Sequence, residues 1–522
     1  MRTGIISIPK QARKTAGAFW PSASASARQQ PGIRRTGRAS AGAVSPPLVL
    51  LCGCIGRAGR HLGQVTFLEI PFRPSRAILA LGDAFYDPVL PASFPRHVLR
   101  YRNDRAASGV GLAGLPEVEW IAHFGRFEPL PGSLERPLAL RYHGHQFRTY
   151  NPELGDGRGF LFAQMEDGAG RLMDLGTKGS GQTPWSRAGD GRLTLKGGVR
   201  EILATEMLEA LGVTTSRTLS VIETGEALER GDEPSPTRSA VLVRLSHSHV
   251  RYGTFQRLAA LEQADRITAL VDYVLANIAR RDGGDDPVAA LMAYAVEGAA
   301  RLGAEWHVAG FVHGVLNTDN MNISGESFDY GPWRFLPAWD AGFVAAYFDH
   351  FGLYAFGRQA EALQWNLFQL AQALRTVAPA ESLVPSLKRW PELLAAEVQR
   401  QTLWRLGLVP LDAASGEALV RAFETGLAES GVQPDAAWFA FRGGRVPGEI
   451  HPAFGPFARQ IARFRPVDGA LAHPYWQDAG PCTMLISEVE ALWAPIAEAD
   501  DWTPLEAKIA AVRRMGEAHR AG

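Results

Sequence analysis

The most specific chemical pattern in the sequence is the segment His313–Ile323, HGVLNTDNMNI, which Asp329-Tyr330-Gly331 follows closely. It places a carboxylate, Asp319, directly before an amide side chain, Asn320. A positioned carboxylate can accept a proton from a reacting hydroxyl group. The segment is therefore the first candidate for catalysis.

The spacing of this segment follows a pattern of ATP-using kinases. There, a His-x-Asp loop is followed by a metal-binding asparagine and then by Asp-Phe-Gly, whose aspartate holds the metal. Asn320 and Asp329 fall at the two metal positions, whereas Val315 falls at the catalytic aspartate. Because valine cannot accept a proton, ordinary phosphoryl transfer has lost its base, while binding of ATP and magnesium can persist. Asp319 is the remaining carboxylate candidate.

Two glycine-rich turns precede this segment. Residues 154–159 read LGDGRG and residues 186–192 read SRAGDGR. Glycines let backbone amides approach phosphate oxygens, although turns between strands often have the same composition. Arg244 and Arg251 add guanidinium groups, which bind phosphate bidentately. The set suits a triphosphate, but a solvated loop is the simpler interpretation of each turn alone.

Lys178 ends an apolar run, and Glu201 lies in the helical pattern that follows it. A lysine at this position can neutralise phosphates if an acid on the next helix holds it. The alternative is a solvated lysine and an ordinary helix glutamate. His247 and His249 lack partners in a metal-binding pattern, so we interpret them as structural.

Strand patterns and one helix must position these groups. Phe160–Gln164 and Leu172–Thr177 flank a glycine turn and predict a hairpin. Thr218–Glu223 and Ser239–Leu245 are also strand-like. Between them, apolar residues recur at helical spacing and predict one amphipathic helix; they are Val199, Ile202, Leu203, Met207, Ala210 and Leu211.

Beyond Phe255 the sequence becomes rich in alanine and leucine. Long helical stretches are predicted at Leu258–Arg281, Pro287–Leu302, Gln359–Val377, Trp390–Leu408 and Ser487–Ile496. A strand-rich lobe before a helical lobe predicts an α+β, protein-kinase-like two-lobed fold. The predicted domains are a leader (1–65), an N-terminal extension packing on the lobes (66–137), an N-lobe (138–257), and a helical C-lobe (258–522) with its catalytic loop at 313–332.

Composition excludes some classes of function. The 522 residues are 46% hydrophobic, enough for packed lobes, and carry 54 basic and 54 acidic residues. Ten basic residues and no acidic ones precede Glu69, so the remainder is mildly acidic. This balance argues against nucleic-acid and membrane partners. The basic leader is interpreted as unstructured; an organelle transit peptide, a nucleic-acid-binding arm and translated sequence upstream of the true start are the alternatives for its origin.

The leader and the cysteines bear on location. The apolar stretch 48–55 is too short to span a bilayer, and no secretory cleavage site follows it. The three cysteines, Cys52, Cys54 and Cys482, cannot form a disulfide framework. A cytoplasmic location is predicted, or a mitochondrial one if the leader is a transit peptide.

Together these segments resemble the selenoprotein O family, called YdiU in bacteria, which are pseudokinase-like protein adenylyltransferases. The resemblance is strongest from Leu138 to Gly357 and thins toward the C-terminus. The matching stretches are 142–147, 155–159, 178–181, 183–187, 189–192, Arg200-Glu201, Arg244, Arg251, 313–322 and 329–332.

The resemblance implies AMP transfer from a flipped ATP to Ser, Thr or Tyr hydroxyls of proteins, the enzyme itself included, with release of pyrophosphate. Asp319 would be the proton acceptor, and Asn320 and Asp329 would bind Mg²⁺ or Mn²⁺. Glu201 would pair with Lys178. Nucleotide contacts would come from Gly155, Gly157, Arg158, Lys178, Asp190, Gly191, Arg244, Arg251 and Asp329.

The chain departs from the family pattern at several positions. His143 and Arg148 stand where the family usually has glycine, and Trp185 replaces a tyrosine. The family's C-terminal cysteine or selenocysteine motif is missing, which puts redox control through that motif in doubt. Alternative functions are UMP transfer from UTP with manganese, γ-phosphoryl transfer by a true kinase, and an inactive nucleotide-binding scaffold.

Overall fold

The computed structural model describes residues 70–231 and 233–521. Strands dominate up to Ser246, and helices dominate after it, which confirms the predicted α+β class. The basic leader predicted for residues 1–65 lies outside the described residues.

The strands are β1 (Arg73–Ser75), β2 (Tyr86–Pro88), β3 (Val98–Arg102), β4 (Leu138–Leu140), β5 (Gly144–Gln146), β6 (Thr149–Asn151), β7 (Leu161–Glu166), β8 (Leu172–Lys178), β9 (Leu193–Thr194), β10 (Arg217–Leu228), β11 (Thr237–Ser246), β12 (Phe311–Val312) and β13 (Arg334–Phe335).

The α-helices are α1 (Asp104–Ser108), α2 (Glu117–Phe124), α3 (Leu195–Ala210), α4 (Tyr252–Ala260), α5 (Ala264–Tyr273), α6 (Pro287–Ala309), α7 (Gln359–Leu374), α8 (Ala380–Lys388), α9 (Trp390–Leu406), α10 (Ala413–Ser430), α11 (Pro434–Phe441), α12 (Gly455–Ile461), α13 (Ile486–Ala499) and α14 (Thr503–Arg520). A π-helical segment, Val274–Ala279, follows α5, and short 3-10 turns lie at Ala77–Leu81, Thr318–Asn320, Phe356–Arg358, Arg442–Gly444, Pro452–Phe454 and Pro474–Gln477.

A nine-stranded antiparallel sheet forms the first part of the fold. Its main order is β2-β4-β7-β8-β11-β10-β3, with β1 beside β7 and β9 beside β11. The predicted hairpin is confirmed as β7–β8, in which Met165 pairs with Met173. In the neighbouring pair, Lys178 lies opposite Leu242 and Gly176 opposite Arg244. The sheet therefore brings two predicted cations onto adjacent strands.

Helix α3 is the amphipathic helix predicted from periodicity. Its first turn is capped by Thr194, whose hydroxyl accepts a hydrogen bond from the amide of Gly197 at 3.1 Å. Val199, Ile202 and Met207 are fully buried in the largest core cluster. Burial of this face fixes the helix against the sheet and so sets the position of Glu201.

One helix prediction is wrong. The continuous helix expected at Leu258–Arg281 is divided into α4, α5 and the π-helical segment. The chain turns after Ala260, where Glu262 adopts a left-handed backbone with φ of 55°. The amide of Gln263 then donates to the carbonyl of Leu258 at 2.9 Å, which closes the helix end. Composition alone carries no sign of this break.

None of the helices within residues 70–231 and 233–521 has the length and apolar character needed to cross a bilayer.

A buried carboxylate, Glu305 on α6, joins the helical part to the turn after α3. Its Oε2 accepts a hydrogen bond from the amide of Thr214 at 2.7 Å, and its Oε1 one from the Thr214 hydroxyl at 3.2 Å. Arg301 and Arg400 approach it only to 3.9 and 4.0 Å. Burial raises the pKa of Glu305 to about 7, against the opposing effects of Thr214 and the arginines.

This raised pKa predicts a pH-dependent stability. The folded state favours the protonated acid, so its contribution is complete below pH 4.5 and is lost as the pH rises through about 7. The shift corresponds to a penalty on the order of 3 kcal/mol at pH 8. Glu305→Gln, which stays neutral, should therefore gain Tm relative to wild type between pH 5 and pH 8 in thermal melts. Exposed Glu429→Gln is the control; an equal pH response in both variants would contradict the assignment.

Candidate active site

A cavity of about 760 Å³ gathers residues from both parts of the fold. With the exception of Glu201, every candidate site residue from the sequence lines it: Gly155, Gly157, Arg158, Lys178, Asp190, Gly191, Arg244, Arg251, Asp319, Asn320 and Asp329. Gly155 and Asp329, which are 174 positions apart in the sequence, thus line the same cavity.

The first glycine turn packs tightly on the turn that carries Trp185. A Cβ on Gly155 would lie 2.4 Å from the Trp185 ring, and one on Gly157 would lie 2.8 Å from the Trp185 carbonyl oxygen. The hydroxyl of Ser186 donates to the carbonyl of Gly157. Packing between the two turns therefore requires glycine at both positions, and it leaves bare backbone on the cavity wall.

Lys178, at the end of β8, forms a buried ion pair with Glu201 of α3. The two side chains are only 7% and 2% exposed. Burial lowers the pKa of Lys178, and the Glu201 carboxylate opposes that change. Glu201 thus lies behind the cavity wall and holds the ammonium group that lines it.

Asp329 is the carboxylate on which the cavity cations converge. Arg244 Nη1 lies 2.6 Å from its Oδ1, Arg251 Nη2 lies 3.4 Å from its Oδ2, and Lys178 Nζ lies 3.8 Å from its Oδ1. Burial alone would raise the pKa of Asp329, but these three cations together hold it well below its ordinary value. Asp329 is therefore ionised throughout the neutral range.

Arg244 and Arg251 each have a second hydrogen-bond partner besides Asp329. Arg244 Nε donates to His249 Nε2 at 3.1 Å, and the amide of His249 donates to Asp174 at 2.9 Å. Arg251 Nη2 donates to Asp156 at 3.3 Å, while its Nε and Nη1 are buried and find no partner among the described residues. A buried guanidinium with unused donors on a cavity wall is suited to an anionic ligand.

Asp319 has the properties of a general base. Its Oδ1 is buried and has no hydrogen-bond partner in the described part of the chain. Burial raises the pKa of Asp319 to about 6, although Arg251 opposes this change. A Cβ on Gly144 would lie 3.1 Å from the same Oδ1, so the backbone of β5 closes over the carboxylate. A pKa near the working pH is the range in which a carboxylate accepts protons effectively.

Hydrogen bonds hold the loop that carries Asp319. The hydroxyl of Thr318 accepts from the amide of His145 at 2.7 Å and donates to Gln256 at 2.6 Å. The side-chain oxygen of Asn317 accepts from the amide of Phe147 at 3.0 Å and from the hydroxyl of Tyr354 at 2.8 Å. Contacts from several distant segments thus fix the loop in one conformation.

Asn320 and Asp329 offer oxygen ligands to a divalent cation. The side-chain Nδ2 of Asn320 donates to the carbonyl of Val315 at 3.0 Å, which leaves the side-chain oxygen available to bind a cation. Within residues 70–231 and 233–521, no group of three or more His, Cys, Asp or Glu side chains could hold a metal. Carboxylate and amide oxygens are the kind of ligand that suits a hard divalent cation.

Asp190 and Gly191 lie at the rim of the cavity. Asp190 is exposed and pairs with Arg230 at 2.9 Å. Gly191 has a φ of 70°, and a Cβ there would lie 2.3 Å from the backbone of Gly181. This turn therefore depends on glycine for its own conformation.

The sequence reasoning did not select several cavity residues. Arg187 and Arg192 lie in the second glycine turn, so their position in that turn could have identified them. Arg230 lies in the β10–β11 connection, where no motif marks it. Basic side chains on the wall outnumber carboxylates: Arg158, Lys178, Arg187, Arg192, Arg230, Arg244 and Arg251 against Asp156, Asp190, Asp319 and Asp329. This excess suits a polyanionic ligand.

The departures from the family pattern are accommodated without loss of the charged groups. Arg148 has a φ of 64°, a left-handed backbone that explains why glycine is usual there. Its side chain pairs with Glu361 at 2.9 Å. His143 Nδ1 lies 2.6 Å from the hydroxyl of Tyr150, and Trp185 donates to Asp87 at 2.9 Å.

Comparison with known proteins finds similarity over most of the chain. A family model described as protein adenylyltransferase SelO matches residues 67–441. Proteins called protein nucleotidyltransferase YdiU are similar over most of the chain. The one from Synechocystis sp. is 42% identical over 468 residues, covering 84% of this chain and 97% of its own. The one from Gloeobacter violaceus is 44% identical over 469 residues, covering 86% and 96%.

The packing of the glycine turn predicts the effect of adding a methyl group. Gly155→Ala should displace the Trp185 ring and lower the free energy of unfolding by about 1–3 kcal/mol. ATP affinity should fall as well, because the turn forms the cavity wall. Trp185→Ala in the same chain should restore part of the stability, as judged by thermal melts. Gly114→Ala is the control because nothing lies within 4 Å of its Cβ; an equal effect there would contradict the packing argument.

Proposed function

Because the chain belongs to the SelO family of protein adenylyltransferases, we propose that it transfers AMP from ATP to Ser, Thr or Tyr hydroxyls of proteins. Pyrophosphate is the second product. One observation carries the proposal: Asp319, with its raised pKa, shares a cavity with the cations around Asp329, while Val315 occupies the position of a kinase base. The site thus favours nucleotide binding, with Asp319 as the proton acceptor in place of the aspartate that a kinase has at the position of Val315.

We assign the nucleotide to the basic wall of this cavity. Lys178, Arg244 and Arg251 neutralise the phosphates. Arg251 has two donor atoms, Nε and Nη1, without a partner among the described residues. The other proposed nucleotide contacts are Gly155, Gly157, Arg158, Asp190 and Gly191. Asn320 and Asp329 would hold Mg²⁺ or Mn²⁺, which when bound would neutralise charge on the phosphates.

The proposed transfer begins when the acceptor hydroxyl oxygen attacks the α-phosphorus. A new phosphorus–oxygen bond forms, and the bond from the α-phosphorus to the oxygen that bridges it to the β-phosphorus breaks. The Asp319 carboxylate takes the hydroxyl proton. Pyrophosphate leaves with the electron pair of the broken bond, while Lys178, Arg244 and Arg251 stabilise its charge.

The proposed fold context is a protein-kinase-like pair of lobes. In that interpretation residues 138–257 form the N-lobe, residues 258–522 form the C-lobe, and residues 313–332 carry the catalytic loop. Support comes from the Lys178–Glu201 pair between sheet and helix, since kinases use such a pair to place the phosphates.

The nucleotide and the group transferred can be tested directly. With α-labelled ATP and Mg²⁺, label should appear on protein, and with γ-labelled ATP it should not, because Val315 cannot act as a kinase base. Intact-mass analysis should show the addition of one AMP. The relatives' name, protein nucleotidyltransferase, does not specify the nucleotide. UMP transfer from UTP with Mn²⁺ is therefore the second candidate, and labelled UTP is tested in parallel. Label from the γ position would overturn nucleotidyl transfer.

Asp319→Asn tests the proton acceptor. The transfer rate should fall about 10²- to 10⁴-fold, while ATP affinity and Tm stay near wild type because Oδ1 has no partner to lose. In wild type the rate should decline below about pH 6, where the base becomes protonated. Exposed Asp272→Asn is the control. Unchanged transfer in the Asp319 variant would exclude it as the base.

A further inference from the structure

Helix α3 carries a second buried carboxylate besides Glu201. Glu206 lies five positions along the helix, where the helical repeat turns it to a different side. Its side chain is 2% exposed. No residue of α3 lines the cavity, so Glu206 takes no direct part in binding there.

The C-terminal helix holds this carboxylate with two hydrogen bonds. From α14, Arg513 Nη2 donates to Glu206 Oε1 at 2.7 Å, and Arg513 Nε donates to Oε2 at 2.9 Å. Tyr101 on β3 donates its hydroxyl to Oε1 at 2.6 Å, and Arg105 on α1 lies 3.4 Å from Oε2. Three separate elements therefore fix one point on α3.

Helix α14 also packs closely along α3. Leu505, Ile509, Val512 and Met515 join the same core cluster as the apolar face of α3. A Cβ on Gly516 would lie 3.0 Å from the Cα of Ala210, so the two backbones nearly touch. At the other end of α3, Lys196 pairs with Glu490 of α13 at 2.7 Å. The last two helices of the chain thus support α3 at both ends.

A helix moves largely as a unit, so the contacts of Glu206 also set the position of Glu201. Breaking a buried carboxylate–guanidinium pair by removing one partner is strongly unfavourable, because the remaining charge is left buried. Any shift of α3 would draw Glu201 away from Lys178. The match to the family model ends at residue 441, well before α14.

We propose that Arg513, acting through Glu206, is a positioning residue that keeps Glu201 against Lys178 and so keeps the ammonium group in the nucleotide cavity. The inference rests on the proposed function to the extent that Lys178 contacts the nucleotide. Arg513 itself touches neither nucleotide nor acceptor.

The test uses the full chain and a neighbouring arginine as the control. Arg513→Met keeps the aliphatic part of the side chain and removes the hydrogen bonds to Glu206. Arg514→Met, at the next position of α14, removes an exposed ion pair with Asp478. ATP–Mg²⁺ affinity by calorimetry and the AMP-transfer rate are both measured. Arg513→Met should weaken ATP binding about tenfold and slow transfer, Arg513→Lys should recover part of both, and Arg514→Met should match wild type.

A double-mutant cycle separates positioning from general destabilisation. In a Glu201→Gln background, Arg513→Met should weaken ATP binding less than twofold further, because the contact that it maintains is already broken. The inference is wrong if Arg513→Met weakens ATP binding by the same factor in the wild-type and Glu201→Gln backgrounds. It is also wrong if the Arg513 and Arg514 variants behave alike. Should Arg513→Met not fold, the same cycle is run with Arg513→Lys, which retains a charge beside Glu206. Because ATP affinity is measured apart from transfer, a wild-type protein that binds ATP but transfers no AMP would refute the proposed function alone.

Discussion

The candidate site depends on the convergence of Arg244, Arg251 and Lys178 on one buried carboxylate, Asp329. Three cations this close together would repel one another strongly in a medium of low polarity. Asp329 makes their proximity tolerable in the free protein. In the proposed function, a triphosphate with its metal would bring new negative charge to the same cations, so the site would exchange one set of ionic contacts for another. The cations are already in place in the free protein, which would avoid reorganisation during the reaction.

The sequence predicted the local elements well because their signals are local. Alternation of apolar residues defined the β7–β8 hairpin, and helical spacing defined α3. The break at Glu262 was missed, since a left-handed residue there leaves no mark on composition. Asp329 was found from motif spacing, Lys178 from its place at the end of a strand, and the two arginines from their phosphate-binding chemistry; the cavity brings all four together.

Some interactions between distant segments leave no pattern in the sequence. Arg230 reaches the rim of the cavity from the β10–β11 connection, and Arg513 reaches Glu206 from the last helix. Neither arginine stands in a motif, and each acquires its partner only when the chain folds. The glycines of residues 154–159 show a related limit: their composition suggested contact with phosphate, but packing against Trp185 is a second, independent reason for them.

The loop around Asp319 is anchored by backbone amides of the β5–β6 region and by the side chains of Gln256 and Tyr354. Its conformational entropy is thus lost when the chain folds and not when substrate binds. In the proposed transfer, an acceptor polypeptide would therefore meet a base of fixed orientation, and only the acceptor would have to adjust its shape. Flexible stretches that can present a hydroxyl at the required angle are accordingly better suited as acceptors than side chains held rigidly in a folded surface.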